Sequence, residues 1–427
     1  MSTAPTTDET VPRGSPFAPF LHRDFALYQG ARIFLILGGQ MAILGLQWQV
    51  WSLTKSNLQV GGVGFAQFLP NVLCSILAGH CADRWNRRLI VMTCALACAG
   101  TASLLAWESL RAVPRLPVIY LACGLFGLIR AFSAPAGHAF LPALVPGSLL
   151  KNAIVWHLTV FQLGTVVGPS LGGFIYGKNQ ATHVYLTTAG LYLAAFAGLA
   201  FLRTRPKPPE DPEPFERAVL AGIRHVWKDK RLLGALSLDL FAVLLGGSTA
   251  LLPAIVEEIL HRGPEVMGIL RSAPAAGAGL MALFLAFRPL QRRIGAWIFT
   301  GVLVFGLSTI GLGYSHSLPL TFSFILIGGA ADMLSVTVRH TLIQVATPDA
   351  MRGRVSAVSM VFINTSNELG ESESGLTAWW WGTAPAIIIG GIGTCGIVFL
   401  WTFLFPALRK ADRFESPPAP AAATASS

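Results

Sequence analysis

Apolar runs long enough to cross a bilayer recur along the whole chain, separated by short polar breaks, and no other feature limits the fold as strongly. A hydrocarbon core about 30 Å thick needs about 20 residues of helix per crossing, because an unpaired backbone amide in lipid finds no water to bond. The runs fall at 27–53, 59–80, 89–110, 117–138, 152–176, 182–202, 232–259, 265–287, 295–314, 318–338, 355–378 and 383–406, which predicts twelve spans. Charged residues make up 12% of the chain, against about 25% in a soluble domain, so water cannot solvate most of its surface. The fold class expected is therefore all-α integral membrane, not a soluble enzyme.

Six runs lie before residue 203 and six after residue 231. The pattern predicts a cytoplasmic N-terminal tail (1–26), a six-helix bundle (27–202), a charged and proline-rich linker with one short surface helix (203–231), a second six-helix bundle (232–408) and a disordered cytoplasmic tail (409–427). The polar N-terminus carries no secretory apolar stretch, so the first span is expected to direct insertion itself. The net charge of +10 could suggest a nucleic-acid partner, but its placement follows the positive-inside rule. Most of the 31 basic residues, Arg339, Arg352 and Arg354 among them, fall on segments assigned to the cytoplasm. The opposite loops hold only Lys55, Arg111, Arg115, Lys178 and Arg262, leaving Arg32, Arg130 and Arg271 for the membrane interior. Both termini are thus expected inside, and no nucleic acid is expected as a partner. The six cysteines have neither metal-ligand nor redox spacing and read as small packing residues.

The two sets of six runs are weakly self-similar. Leu37-Gly38-Gly39 matches Leu245-Gly246-Gly247, while Gly64, Gln67 and Pro70 match Gly268, Arg271 and Pro274. Ser133, His138, Pro146, Gly168 and Gly173 match Ser335, His340, Pro348, Gly370 and Gly375 at a constant offset of 202 residues. Transporter folds built by duplication leave repeats of this kind.

Between the second and third runs stands Gly79-His80-Cys81-Ala82-Asp83-Arg84-Trp85-Asn86-Arg87-Arg88. It resembles the cytoplasmic motif of the major facilitator superfamily, with Cys81 and Asn86 replacing the usual Leu and Gly. The resemblance implies a gate made by Gly79, Asp83, Arg84, Arg87 and Arg88; taken as charges alone, the arginines are a topological anchor. The counterpart in the second half is reduced to Arg288, Gln291 and Arg292, with Phe287 in the aspartate's place. The fifth run carries Gly164, Gly168, Pro169, Gly172 and Gly173 in a string similar to the superfamily's antiporter motif, in which small residues permit tight packing and proline bends the helix. With 22–41, Arg352-Gly353-Arg354-Val355 and 366–375, the chain resembles the branch that includes bacterial enterobactin exporters over residues 20–410. Many relatives carry aspartate where Gly39 stands.

Ionisable groups inside spans are costly and mark polar pathways. Asp239, Asp332, Glu368, Glu371 and Glu373 qualify, and Asn364, Asn367, Glu368, Glu371 and Gly375 share one helical stripe that must face protein or water. Glu368, then Glu371, Asp239, Asp332 and Arg130 form the proton-coupling set. Structural pairing is the competing account: Arg130 with Asp332, its repeat counterpart, and Arg32 with Asp239. Arg130 resembles the arginine of a span-four antiporter motif, although Ser133 and Ala134 replace the residues that should follow. Arg32, Gln40, Gln67, Asn71, Asn364 and Asn367 could meet a substrate in the cavity; for Gln40, Gln67 and Asn71, bonding between helices is the simpler reading. Glu257 and Glu258 read as a solvated rim. His138 and His340 read as hydrogen bonders at helix ends, with no metal expected. No phosphate-binding loop is present, and no cofactor is expected.

The function expected is secondary transport: proton-coupled efflux of a siderophore-like or amphipathic drug-like molecule by alternating access, in a bacterial plasma membrane, by a monomer whose partners are its small-molecule substrate, protons and the lipid bilayer. The alternatives are an uptake symporter and a transport-inactive receptor or scaffold.

Overall fold

A computed structural model describes residues 15–204, 215–290 and 292–412. The expected tails at 1–14 and 413–427, the linker at 205–214, Gln291, and the side chains of Asp83 and His138 lie outside what is described. The first half comprises α1 (Arg23–Thr54), α2 (Asn57–Arg84), α3 (Arg87–Glu108), α4 (Leu116–Phe140) and α5 (Leu150–Ala200). A linker helix, α6 (Phe215–Lys228), precedes α7 (Lys230–Gly246), α8 (Pro264–Phe287), α9 (Ile294–Gly313), α10 (Leu318–Ala346), α11 (Asp349–Trp381) and α12 (Thr383–Leu404). After Gly247 the span begun by α7 continues through short helical turns to Ile259.

Among the described residues nine helices are long and apolar enough, taken alone, to cross a membrane. The architecture is nonetheless two pseudo-symmetric six-helix bundles, and the difference has two causes. α5 is a pair of helices joined at Gln180, where the chain doubles back, and so supplies two spans. Its first part climbs beside α1, with Gly164 against Ile36 and Gly168 against Gln40; its second part descends, with Tyr185 at Gly45 and Tyr192 at Gly38. α11 misses the apolar criterion because it carries the polar stripe predicted for the eleventh span, and α2, over the apolar run predicted at 59–80, packs on it between the halves.

The reversal at Gln180 needs only one non-helical residue, at φ 73° and ψ 170°. Gly382 makes the matching reversal between α11 and α12 at φ 87° and ψ 164°, and it lies 202 residues further on, the repeat offset. That region of backbone space is essentially restricted to glycine. The second half meets the demand with glycine; the first strains a glutamine to meet it.

The halves touch at the end that carries Lys55 and His261. Gly173 of α5 meets Gly268 of α8, where a Cβ on Gly173 would stand 2.9 Å from the Gly268 Cα. Gly375 of α11 meets Gly61 of α2, a Cβ there falling 2.7 Å from the Gly61 Cα. Helix backbones pack this closely only where side chains are absent. Around these crossings Lys55 pairs with Glu257 at 2.6 Å, Trp51 donates its indole N–H to the same carboxylate, and Asn57 donates to Thr383 at 3.1 Å, Thr383 donating in turn to Glu258 at 3.0 Å. Glu257 and Glu258 are thus part of a clasp between the halves and not a merely solvated rim.

Replacing Gln180 by Gly should raise the stability of the purified protein by about 1 kcal/mol, because the residue it relieves occupies a region costing about 1–3 kcal/mol. The check is the midpoint of unfolding in detergent, with Gly382→Gln expected to move it the other way.

Candidate functional site

Two cavities open inside the halves, and their linings are related by the sequence repeat. The first, about 220 Å³, is lined by Gly39, Gln67 and Arg130 with Leu35, Phe126 and Tyr192. The second, about 340 Å³, is lined by Gly247, Arg271 and Asp332 with Asn367, Glu371 and Phe324. Gly39 and Gly247, Gln67 and Arg271, and Arg130 and Asp332 are the pairs matched by self-similarity. The walls have diverged: Arg130 is the one charged residue lining the first cavity, whereas Arg271, Asp332 and Glu371 all line the second.

Arg130 of α4 reaches across to α11, its guanidinium 2.9 Å from Glu368 and donating to the Asn364 side chain at 3.3 Å. This is an ion pair between halves, not the pair with Asp332 that the repeat suggested. Residues matched by a pseudo-two-fold repeat each line their own cavity, so they face related surroundings and not one another. The Glu368 side chain is 9% exposed and that of Arg130 43%, so water screens one partner only. Neither Glu368 oxygen receives an aligned hydrogen bond among the described residues, although Asn71 of α2 stands beside the carboxylate.

Closer to the Lys55 end, Gln47 of α1 links Arg271 and Glu371. Its amide oxygen accepts from Arg271, its nitrogen donates to Glu371 at 3.3 Å, and Thr249 donates to the same carboxylate at 3.3 Å. Three residues from α1, α8 and α11 thereby satisfy one another across the halves.

Asp239 does not pair with Arg32. Its partner is Arg339 of α10, 1% exposed, which the sequence placed in the cytoplasm. Arg339 lies two helical turns beyond Asp332 with no polar break between them, and that continuity was the available signal. Arg32 turns towards α5, donating to the His157 carbonyl, with its guanidinium 6.0 Å from the Phe161 ring centre. Gln40 packs against Gly168. Of the proposed cavity residues, Gln67 and Asn367 line the two cavities, while Asn71 and Asn364 flank the cross-half ion pair. Cys94 and Cys98 also line the first cavity, a place their reading as packing residues did not give them.

The motif glycines of α5 divide their work. Gly164, Gly168 and Gly172 recur every four residues against Ile36, Gln40 and Met41 of α1, whereas Gly173 meets the other half. In the loop motif, Asn86 caps α3 by accepting from the Arg88 amide at 3.0 Å. The Arg88 side chain donates to the Leu199 and Ala200 carbonyls at 3.2 and 2.6 Å, at the negative end of α5. Gly79 is buried and Arg84 exposed.

Arg339→Leu should destabilise the protein by about 3–5 kcal/mol, since it strands the buried Asp239 carboxylate. Adding Asp239→Leu should recover most of that loss. Chemical unfolding of the two variants checks it, and equal stabilities would remove the ion pair from the account.

The sequence matches the family described as transmembrane secretion effector over residues 14–424. Relatives include the staphyloferrin A transporter of Staphylococcus aureus (25% identical, 88% of this chain and 94% of the relative covered) and the enterobactin exporter EntS of Citrobacter koseri (27%, 87% and 88%). The multidrug efflux pump Tap of Mycolicibacterium fortuitum is 26% identical, with 89% and 95% covered. Among solved structures, a bacterial homologue of the human lysosomal transporter Spinster, inward-facing and unoccupied, superposes with a TM-score of 0.74 at 16% identity, covering 93% of this chain and 99% of that one. A POT family transporter bound to 5-aminolevulinic acid gives 0.74 at 12% identity, with 91% and 97% covered. The chain is therefore a membrane transporter of the major facilitator superfamily, not an enzyme, and belongs to its transmembrane secretion effector family.

Proposed function

We propose that the chain exports a siderophore-like or amphipathic drug-like molecule in exchange for protons, as a monomer in the bacterial plasma membrane with both termini in the cytoplasm. The observation that carries this reading is the Arg130–Glu368 ion pair, which joins the halves at 2.9 Å beside a cavity. A proton on Glu368 removes the charge that holds Arg130. The free energy of one protonation event is thus applied directly between two bodies that must rock. Glu371, Asp239 and Asp332 are the further carboxylates of the coupling set.

Export is supported by the relatives, an enterobactin exporter and a multidrug efflux pump among them, and by the α5 glycine string. With the basic residues facing the cytoplasm, the closed end at Lys55 faces outward and the cavities are reached from inside, the state in which an exporter loads. Gly79, Asp83, Arg84, Arg87 and Arg88 then form the gate that closes the cytoplasmic end in the opposite state.

In inside-out vesicles, Glu368→Gln should reduce ethidium uptake driven by an imposed proton gradient at least tenfold while leaving folded protein in the membrane. Uptake that stays coupled to the gradient in this variant would remove Glu368 from the mechanism.

A further inference from the structure

Among the described span carboxylates of the second half, Asp332 and Glu373 have no ion pair, and of the two only Asp332 lines a cavity, Glu373 accepting from Ser374 at 3.5 Å. Asp239 is taken by Arg339, Glu371 lies within the field of Arg271 and accepts from Gln47 and Thr249, and Glu368 is taken by Arg130. Asp332 alone, among the described cavity carboxylates, has neither an ion pair nor a hydrogen bond. It lines the second cavity with Phe305, Phe324, Ser308 and Asn367.

Four helices surround Asp332 of α10. α9 brings no ionisable side chain at all over Ile294–Gly313. α8 brings Arg271, which is engaged with Gln47. α11 brings Glu371, and α7 brings Asp239, whose carboxylate repels that of Asp332 while Arg339 attracts it. On α10 itself, Asp332, Ser335 and Arg339 share one face at spacings of three and four residues. Two groups on that face are buried and unsatisfied: the Ser335 hydroxyl and the Arg339 Nε, both in residues 1% exposed. Arg339 thus serves Asp239 with a donor to spare, on the helix face that also carries Asp332.

We infer that Asp332 is a proton site of the second half at which an amphipathic cation competes with the proton, the cation's aromatic or aliphatic body lying against Phe305 and Phe324. This rests on the exchange reading above and gives it a sign. A cation needs the carboxylate ionised, so cargo and proton exclude one another at one atom group, and that exclusion is what exchange in opposite directions requires. The same test fails at Arg130: an anion bound there would release Glu368 to take up a proton, so anion and proton would travel together. Two carboxylates sharing Arg339 let the proton leave Asp332 without stranding an unpaired charge, because the guanidinium can lean towards whichever aspartate is ionised.

Ethidium is a suitable probe because its charge is fixed, so pH acts on the protein alone. On the intact protein in lipid nanodiscs, ethidium affinity should rise at least tenfold from pH 4.5 to 8.5. Binding in weakly buffered solution should release protons, approaching one per ethidium at the acid end. Asp332→Asn should bind ethidium at least tenfold more weakly at pH 8.5, with less than a twofold pH effect and no proton release; Asp332→Glu should restore both. The neutral probe N-phenyl-1-naphthylamine should bind wild type and Asp332→Asn within twofold of each other and release no proton. Proton release that survives in Asp332→Asn and vanishes in Glu368→Gln would overturn the assignment, as would equal losses of the neutral and cationic probes. These measurements involve no gradient and no direction. A failure of exchange itself would instead appear in vesicles as transport indifferent to the proton gradient.

Discussion

In a medium that solvates no charge, every buried ionised group must bring its own partner, and the partners decide which helices stay together. Arg339 and Asp239 join α7 to α10 inside one half, whereas Arg130 and Glu368 join α4 to α11 across both. The first pair is sealed and serves stability. The second has one partner 43% exposed, where water reaches the guanidinium. A sealed pair and a half-exposed pair are thus separated by geometry, although both join an arginine to a carboxylate.

The internal repeat relates the positions of both cavities, and their walls have diverged. At matched places the first half has Gln67 and Arg130 where the second has Arg271 and Asp332. The first wall is apolar with one cation, and that cation makes the ion pair across the halves. The second combines two carboxylates and one guanidinium with Phe305 and Phe324, the setting in which a cation and a proton are proposed to compete.

Much of this was legible in the sequence because lipid punishes error so heavily. Nearly every span predicted from an apolar run has its helix, and the polar stripe of the eleventh span lies where the halves meet. Partner choice was not legible. Arg130 was matched to Asp332 by the repeat, but the repeat relates equivalent positions, while contact across an interface joins non-equivalent ones. Arg339 was lost to the cytoplasm because charge counting treats an arginine near a run's end as outside it, whereas α10 continues to Ala346. The clasp at Glu257 was invisible because its partners, Trp51 and Lys55, belong to the other half and lie about 200 residues earlier. Where a local rule governs, periodicity or the cost of charge, the sequence was sufficient; where two distant elements select each other, it was not.

The single-residue reversals at Gln180 and Gly382 bear on how the chain reaches the membrane in the first place. The link between the two arms is the short polar stretch 177–183 in 150–200 and Gly382 alone in 349–404, so neither pair has a long loop to pass separately. Each pair can then partition into lipid together as a helical hairpin, its backbone groups already paired. The polar stripe of α11, which would be a poor membrane segment by itself, is carried in by the apolar arm that follows it.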